Sequence, residues 1–177
     1  PYSRKWKAYF NENYTASFPS ENNTASLFKC KTIQNLISLQ DMGFVESQMS
    51  FPKKTLESQT INQYQEKRNF PAASGTSLLS IHLRFGTISI RSLVNKSLKR
   101  SETYLNELIW RDFYQMILFH FPHSAENSFR KQYDLIEWEK NMDDFELWCQ
   151  GKTGYPMVDA GMRELNETGF MHNRVRM

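Results

Sequence analysis

The chain has 177 residues, 40% of them hydrophobic and 14% aromatic, which is enough for one good-sized core and too few for several ordinary domains. Lys plus Arg outnumber Asp plus Glu by 22 to 19, a net charge of +3 that suits a polyanionic partner without requiring one. Cys30 and Cys149 stand far apart with no CxxC or CxxH spacing, and no apolar run reaches bilayer length. A zinc site, a disulfide framework and a membrane span are therefore not indicated, and a reducing, cytoplasmic compartment is expected.

Residues 1 to about 70 are rich in Asn, Ser, Gln, Lys and Thr, with short apolar clusters at Leu36-Ile37 and Phe44-Val45, and read as a connector. Helical periodicity takes over from Ser74. Gly75-Thr76-Ser77-Leu78-Leu79-Ser80 brings hydroxyls and backbone N–H groups to a helix start, which attracts phosphate or is an ordinary N-cap. Ser89 caps a predicted helix carrying Ile90, Leu93, Val94 and Leu98, and Ser101 caps the next, from Glu102 to about Phe121. At about 100° per residue, Leu105, Ile109 and Met116 gather on one side of that helix. Glu107, Trp110, Arg111 and Tyr114 gather on the other, a surface able to stack on a base and bond its edge. By itself this pattern is more often a salt-bridged helix with half-buried aromatics.

Gly151-Lys152-Thr153-Gly154-Tyr155-Pro156 lacks the earlier glycine of a phosphate-binding loop and is rejected as one. Pro156 to Gly169 is predicted to be a helix, with Pro in its first turn, Val158, Gly161, Met162 and Leu165 at helical spacing, and Gly at its end. Asn173 to Met177 reads as the start of another helix, so the natural protein is expected to continue past Met177. Strand-like alternation is nearly absent, and the expected fold class is all-α.

Three stretches, Thr76 to Gly86, Asn106 to Tyr114, and Gly151 to Met177, closely resemble the DNA photolyase/cryptochrome family, in the family's order and most like its class I cyclobutane pyrimidine dimer photolyases. The resemblance is dense from about residue 60, and Pro1 to Lys7 resembles the start of the family's connector. It implies a connector over 1–60 and, over 61–177, the N-terminal part of a helical FAD-binding domain. By the same resemblance Tyr64, the run Thr76, Ser77, Leu78, Leu79 and Ser80, and Tyr104, Asn173 and Arg176 match positions that hold FAD. Asn173 matches the residue beside the flavin N5. Glu107, Trp110, Asn173 and Met177 match positions that receive the dimer, while Arg68, Arg111 and Arg174 lie where the family meets the DNA strand. Tyr114 shares the substrate face of its helix. Trp138 matches the surface end of the family's electron relay.

The implied activity is light-driven repair of pyrimidine dimers in DNA, a carbon–carbon lyase reaction in which reduced FAD lends an electron to a flipped-out dimer. A second antenna chromophore belongs to a domain preceding this chain. No metal is expected, and the full-length protein is expected to be a monomer without membrane association. Family members often carry Arg and Pro where this chain has Leu78 and Ile81, and Trp where it has Tyr104 and Phe170. Leu78 removes a cation near the diphosphate, so a weaker hold there is expected. The isolated 177 residues are expected to be inactive and to bind FAD poorly. A cryptochrome photoreceptor and a flavin-free helical binding module are the competing readings.

Overall fold

The computed structural model describes residues 2–28 and 35–176; Cys30 and Met177 lie outside them. Among the described residues there is no strand, and every regular element is helical, in agreement with the all-α expectation. None of these helices is long and apolar enough to cross a membrane.

The organising element is α6, Glu102–His120, 19 residues long. Ser101 starts it, its hydroxyl accepting the Tyr104 N–H at 3.2 Å. Leu105, Leu108 and Ile109 on its inner side are buried, while Trp110 and Tyr114 keep more than half of their surface exposed. The two-faced helix read from the periodicity is therefore present, with Met116 half-buried farther along.

Against the inner side packs α5, Ile90–Leu98, with Ile61 of the short helix α2, Ser58–Asn62, joining the same core, and α3, Tyr64–Lys67, lies along α6 beside it. Ser89 caps α5 as expected, accepting the Ser92 N–H at 3.4 Å. Fully buried Leu93, Ile61 and Leu79 close the core, Leu79 just before α4, Ser80–Arg84. Burying each such side chain contributes about 1.5–3 kcal/mol.

The polar N-terminal stretch is less loose at its front than its composition implies. Helix α1, Tyr2–Tyr9, lies on α6. Tyr2 and Trp6, one turn apart, reach the same face, and the Tyr2 hydroxyl and Trp6 Nε1–H both donate to Asp112 Oδ2, at 2.8 and 3.0 Å. Beyond two 3₁₀ turns, Glu12–Thr15 and Ser20–Ser26, no helix forms between α1 and Ser58 among the described residues. Leu36 and Val45, in the connector's short apolar clusters, are almost fully exposed.

The C-terminal part holds α7, Met142–Cys149, capped by Asn141, and α8, Pro156–Thr168, which ends on Gly169 at φ 71°. Asp159 of α8 accepts the Thr153 N–H, the Thr153 hydroxyl and the Gly154 N–H, at 2.8, 2.7 and 3.0 Å. These bonds hold its carboxyl below its ordinary value, with the Thr153 hydrogen bond the largest cause. The amides of this loop are thus occupied from within, consistent with its rejection as a phosphate loop. A Cβ on Gly161 would stand 3.1 Å from Val175, so glycine lets the segment after α8 lie close against it.

One expectation is corrected here: Asn173–Val175 is a turn and not a helix start. The Val175 N–H donates to the His172 carbonyl at 3.0 Å, and the Arg174 N–H donates to His172 Nδ1 at 3.1 Å. The buried imidazole supplies the local acceptor that ends regular continuation.

Asp112→Ala is expected to undock α1, costing about 1–2 kcal/mol for the two hydrogen bonds and exposing Lys5 and Lys7 to trypsin. Burial, then the Asp112 carboxylate, push the Tyr2 phenol up to about 12. A raised value stabilises the docked state below the phenol's unperturbed value of about 10, and this contribution is lost as pH rises through 12. Tryptic cleavage rates from neutral pH to pH 11 check both; cleavage that neither alkali nor the substitution accelerates would refute the clamp.

Candidate functional site

Along the outer side of α6, Glu107, Trp110 and Tyr114 form a stripe facing α3 and the turn after α8, and the three elements enclose a polar cavity of about 340 Å³. Tyr64 and Arg68 reach it from α3 and its C-terminal end, Thr76 from the loop before α4, and Asn173 and Arg174 from the turn. Eight of the residues singled out in the sequence thus meet around one space, although they come from positions 64 to 174 of the chain.

Contacts among them fix its walls. The Tyr64 and Tyr104 rings meet edge to face at 5.0 Å, and the Tyr104 hydroxyl donates to Ser77 Oγ at 3.1 Å. Burial raises both phenols; at Tyr64 the Glu107 carboxylate adds to the rise and Arg68 opposes it, and at Tyr104 the Ser77 bond opposes it. The Arg68 guanidinium lies over the Tyr64 ring, 5.7 Å from its centroid, and forms an ion pair with Glu107. Trp110 stacks on Tyr114 at 5.9 Å and meets Phe113 edge to face at 5.4 Å, so its ring is braced while one side stays open.

Other residues fall elsewhere. Ser80 and Arg176 line a second, larger cavity of about 930 Å³, beside Trp148, Met162 and Val175. The Arg176 guanidinium is anchored on the Met171 carbonyl at 3.0 Å. Arg111 turns away from the polar cavity; its Nη1 donates to Gln115 at 3.2 Å, and it lines a cleft with Trp6 and Asp112. Leu79 is core. Trp138 is 74% exposed. Leu78 stands at φ +52°, the left-handed region that costs a branched side chain about 1 kcal/mol or more. Its position turns the chain between Ser77 and α4. Gly75, where a Cβ would meet the Lys67 backbone at 2.6 Å, presses the start of this segment onto α3.

Asn69, passed over in the sequence, also belongs here, as does His172. Asn69 Oδ1 accepts from Arg174 Nε and Nη2 at 2.9 and 2.7 Å, a pairing across 105 positions that no periodicity reveals. His172 is buried, its Nδ1 bonded to the Arg174 N–H and its Nε2 without a partner among the described residues. The Nδ1 acceptor role assigns the proton to Nε2, a buried donor. Hydroxyls, guanidiniums, a primary amide and this donor, set between aromatic rings, suit an extended ligand carrying phosphate and a flat heterocycle.

The sequence profile for the FAD binding domain of DNA photolyase matches residues 104–177. A deoxyribodipyrimidine photo-lyase of Halobacterium salinarum is 32% identical over 98% of this chain and 41% of its own length. One of Neurospora crassa is 42% identical over 67% of the chain and 22% of its own length. The crystal structure of a bacterial class III photolyase from Agrobacterium tumefaciens superimposes with a TM-score of 0.77 and 30% identity, over 99% of this chain and 41% of that one. The chain belongs to the DNA photolyase/cryptochrome family. It spans about two fifths or less of the length of these photolyases, and its all-helical fold matches that of the photolyase FAD-binding domain.

At the photolyase-like Thr76–Ser80 loop, Leu78→Gly is expected to leave the thermal midpoint unchanged or raise it, because glycine adopts φ +52° without strain. Leu78→Val is expected to lose about 1–2 kcal/mol from its β-branched crowding in the same region. Denaturant titration of both variants checks the order; a glycine variant less stable than the valine variant would contradict it.

Proposed function

We propose that the protein carrying this chain is a deoxyribodipyrimidine photolyase, most like class I, that repairs cyclobutane pyrimidine dimers in DNA with light and FAD. In this reading residues 1–60 connect a preceding domain with its antenna pigment to the FAD-binding domain that begins at 61. The observation that carries it is the meeting of Glu107, Trp110, Asn173 and two arginines around one polar cavity, an arrangement suited to a flipped-out pyrimidine dimer.

When bound and reduced, FAD would supply photoexcited one-electron chemistry at the dimer. The chain's own groups do the rest. Tyr64, Thr76, Ser77, Tyr104, Ser80 and Arg176 offer the aromatic wall, hydroxyls and cation that hold the cofactor, with Leu78 and Leu79 shaping the loop. Asn173 presents an amide at the cavity mouth, suited to the edge of the flavin ring. Half-exposed Trp110 is a braced platform on which a pyrimidine stacks and from which water is displaced. Glu107 accepts a hydrogen bond from the pyrimidine N–H once Arg68 yields it, and holds the dimer in one orientation. Arg68, Arg111 and Arg174 supply cations for the flanking strand. In isolation the 177 residues are proposed to be inactive and to hold FAD weakly, since Trp148 and Tyr155 at the larger cavity remain exposed.

In the flavin-loaded full-length protein, Glu107→Ala is expected to retain FAD and to lower the repair quantum yield at saturating dimer several-fold. An unchanged yield argues against the carboxylate's role. Wild-type protein that photoreduces its flavin but repairs no dimer would assign it to photoreception instead. Trp138→Phe is expected to slow photoreduction of oxidised flavin while leaving repair by reduced protein intact; normal photoreduction would remove Trp138 from the electron path.

A further inference from the structure

Two guanidiniums stand at the polar cavity, and they are held in different ways. Arg68 is ion-paired with Glu107, so its charge is met by a carboxylate. Arg174 donates Nε and Nη2 to a single oxygen of Asn69, a side chain with no charge. The ion pairs among the described residues are Arg68–Glu107 and Lys7–Glu102, and neither involves Arg174. Among the described residues Glu107 is the one acidic residue lining the cavity, against two arginines.

Arg174 is also pre-aimed from its backbone. Its N–H donates to Nδ1 of His172, a ring that is 4% exposed, so the guanidinium leaves a turn whose geometry is pinned. The side-chain tether to Asn69 is solvent-exposed, and such a bond to a neutral amide yields readily to a competing anion. A carboxylate at the same place would make a charge-assisted fork that an incoming phosphate has to displace.

We propose that Asn69 is a specificity-determining residue for the nucleic-acid backbone: a neutral tether that holds Arg174 in place at the cavity mouth while leaving its charge free for a phosphate of the strand carrying the lesion. The inference rests on the reading that this cavity receives DNA. It makes Asn69 a positioning residue that acts through Arg174.

The experiment measures, by fluorescence anisotropy, binding of a duplex oligonucleotide carrying one thymine dimer to the flavin-loaded full-length protein over a range of salt. Asn69→Asp is isosteric and exposed, and is expected to weaken binding about five- to tenfold near 0.1 M salt and to reduce the steepness of log Kd against log salt by about 0.9, the loss of one phosphate contact. In an Arg174→Ala background the same substitution is expected to do nothing further, because its target is gone. Asn69→Glu gives a second reading should the aspartate variant fail to fold, as judged by its thermal midpoint. An unchanged salt slope in the charged variant, or an equal loss with and without Arg174, would overturn the inference while leaving the repair function standing. Wild-type protein that binds neither the damaged nor the undamaged duplex would overturn both.

Discussion

A helix 19 residues long can give only one side to a core, and the structure follows from which side of α6 is given. Leu105, Leu108 and Ile109 take the buried side and draw α5, α2 and the residue before α4 around them. The opposite side is then left to Glu107, Trp110 and Tyr114, residues that α3 and the turn after α8 border without covering. The cavity is a consequence of this division. Its floor belongs to the same rigid helix that organises the core, so the groups on it are held by packing and not by loop conformation.

Charge at the cavity is arranged on the same scaffold. Arg68 leans over Tyr64 to meet Glu107, tying α3 to α6, and Arg174 reaches back to Asn69 from a turn fixed by His172. Both links are partly or fully exposed, so each is weak on its own and can be exchanged for a ligand contact at small cost. Asp112, on the flank of α6, does the corresponding work for the connector, gathering Tyr2 and Trp6 onto one carboxylate oxygen. A polar segment thereby gains a fixed start without a large apolar area.

Much of this was legible in the sequence. Ser89 and Ser101 announced two helices because a hydroxyl before an apolar-periodic run satisfies free N–H groups, and Pro156 and Gly169 bracketed a third by their backbone preferences. The two faces of α6 followed from a period of 3.6 residues. The helical front of the connector was not legible, since Tyr2 and Trp6 find their partner more than a hundred positions away. The helix start at Asn173 misread a turn, because the imidazole that ends it is itself placed by burial.

What the sequence determined by itself is therefore local or periodic: the all-α class, the caps, the faces, and motifs specific enough to place the chain in its family. Only the tertiary structure decided which of those motif residues share a space. It put Tyr64, Arg68, Thr76, Glu107, Asn173 and Arg174 around one cavity, sent Arg111 to another cleft and Ser80 and Arg176 to a larger cavity, and brought Asn69 to Arg174. The physical reason is that such meetings depend on how helices cross and on where buried side chains let segments approach, as Gly161 does for the turn after α8. Neither quantity is written in the spacing of residues along one chain.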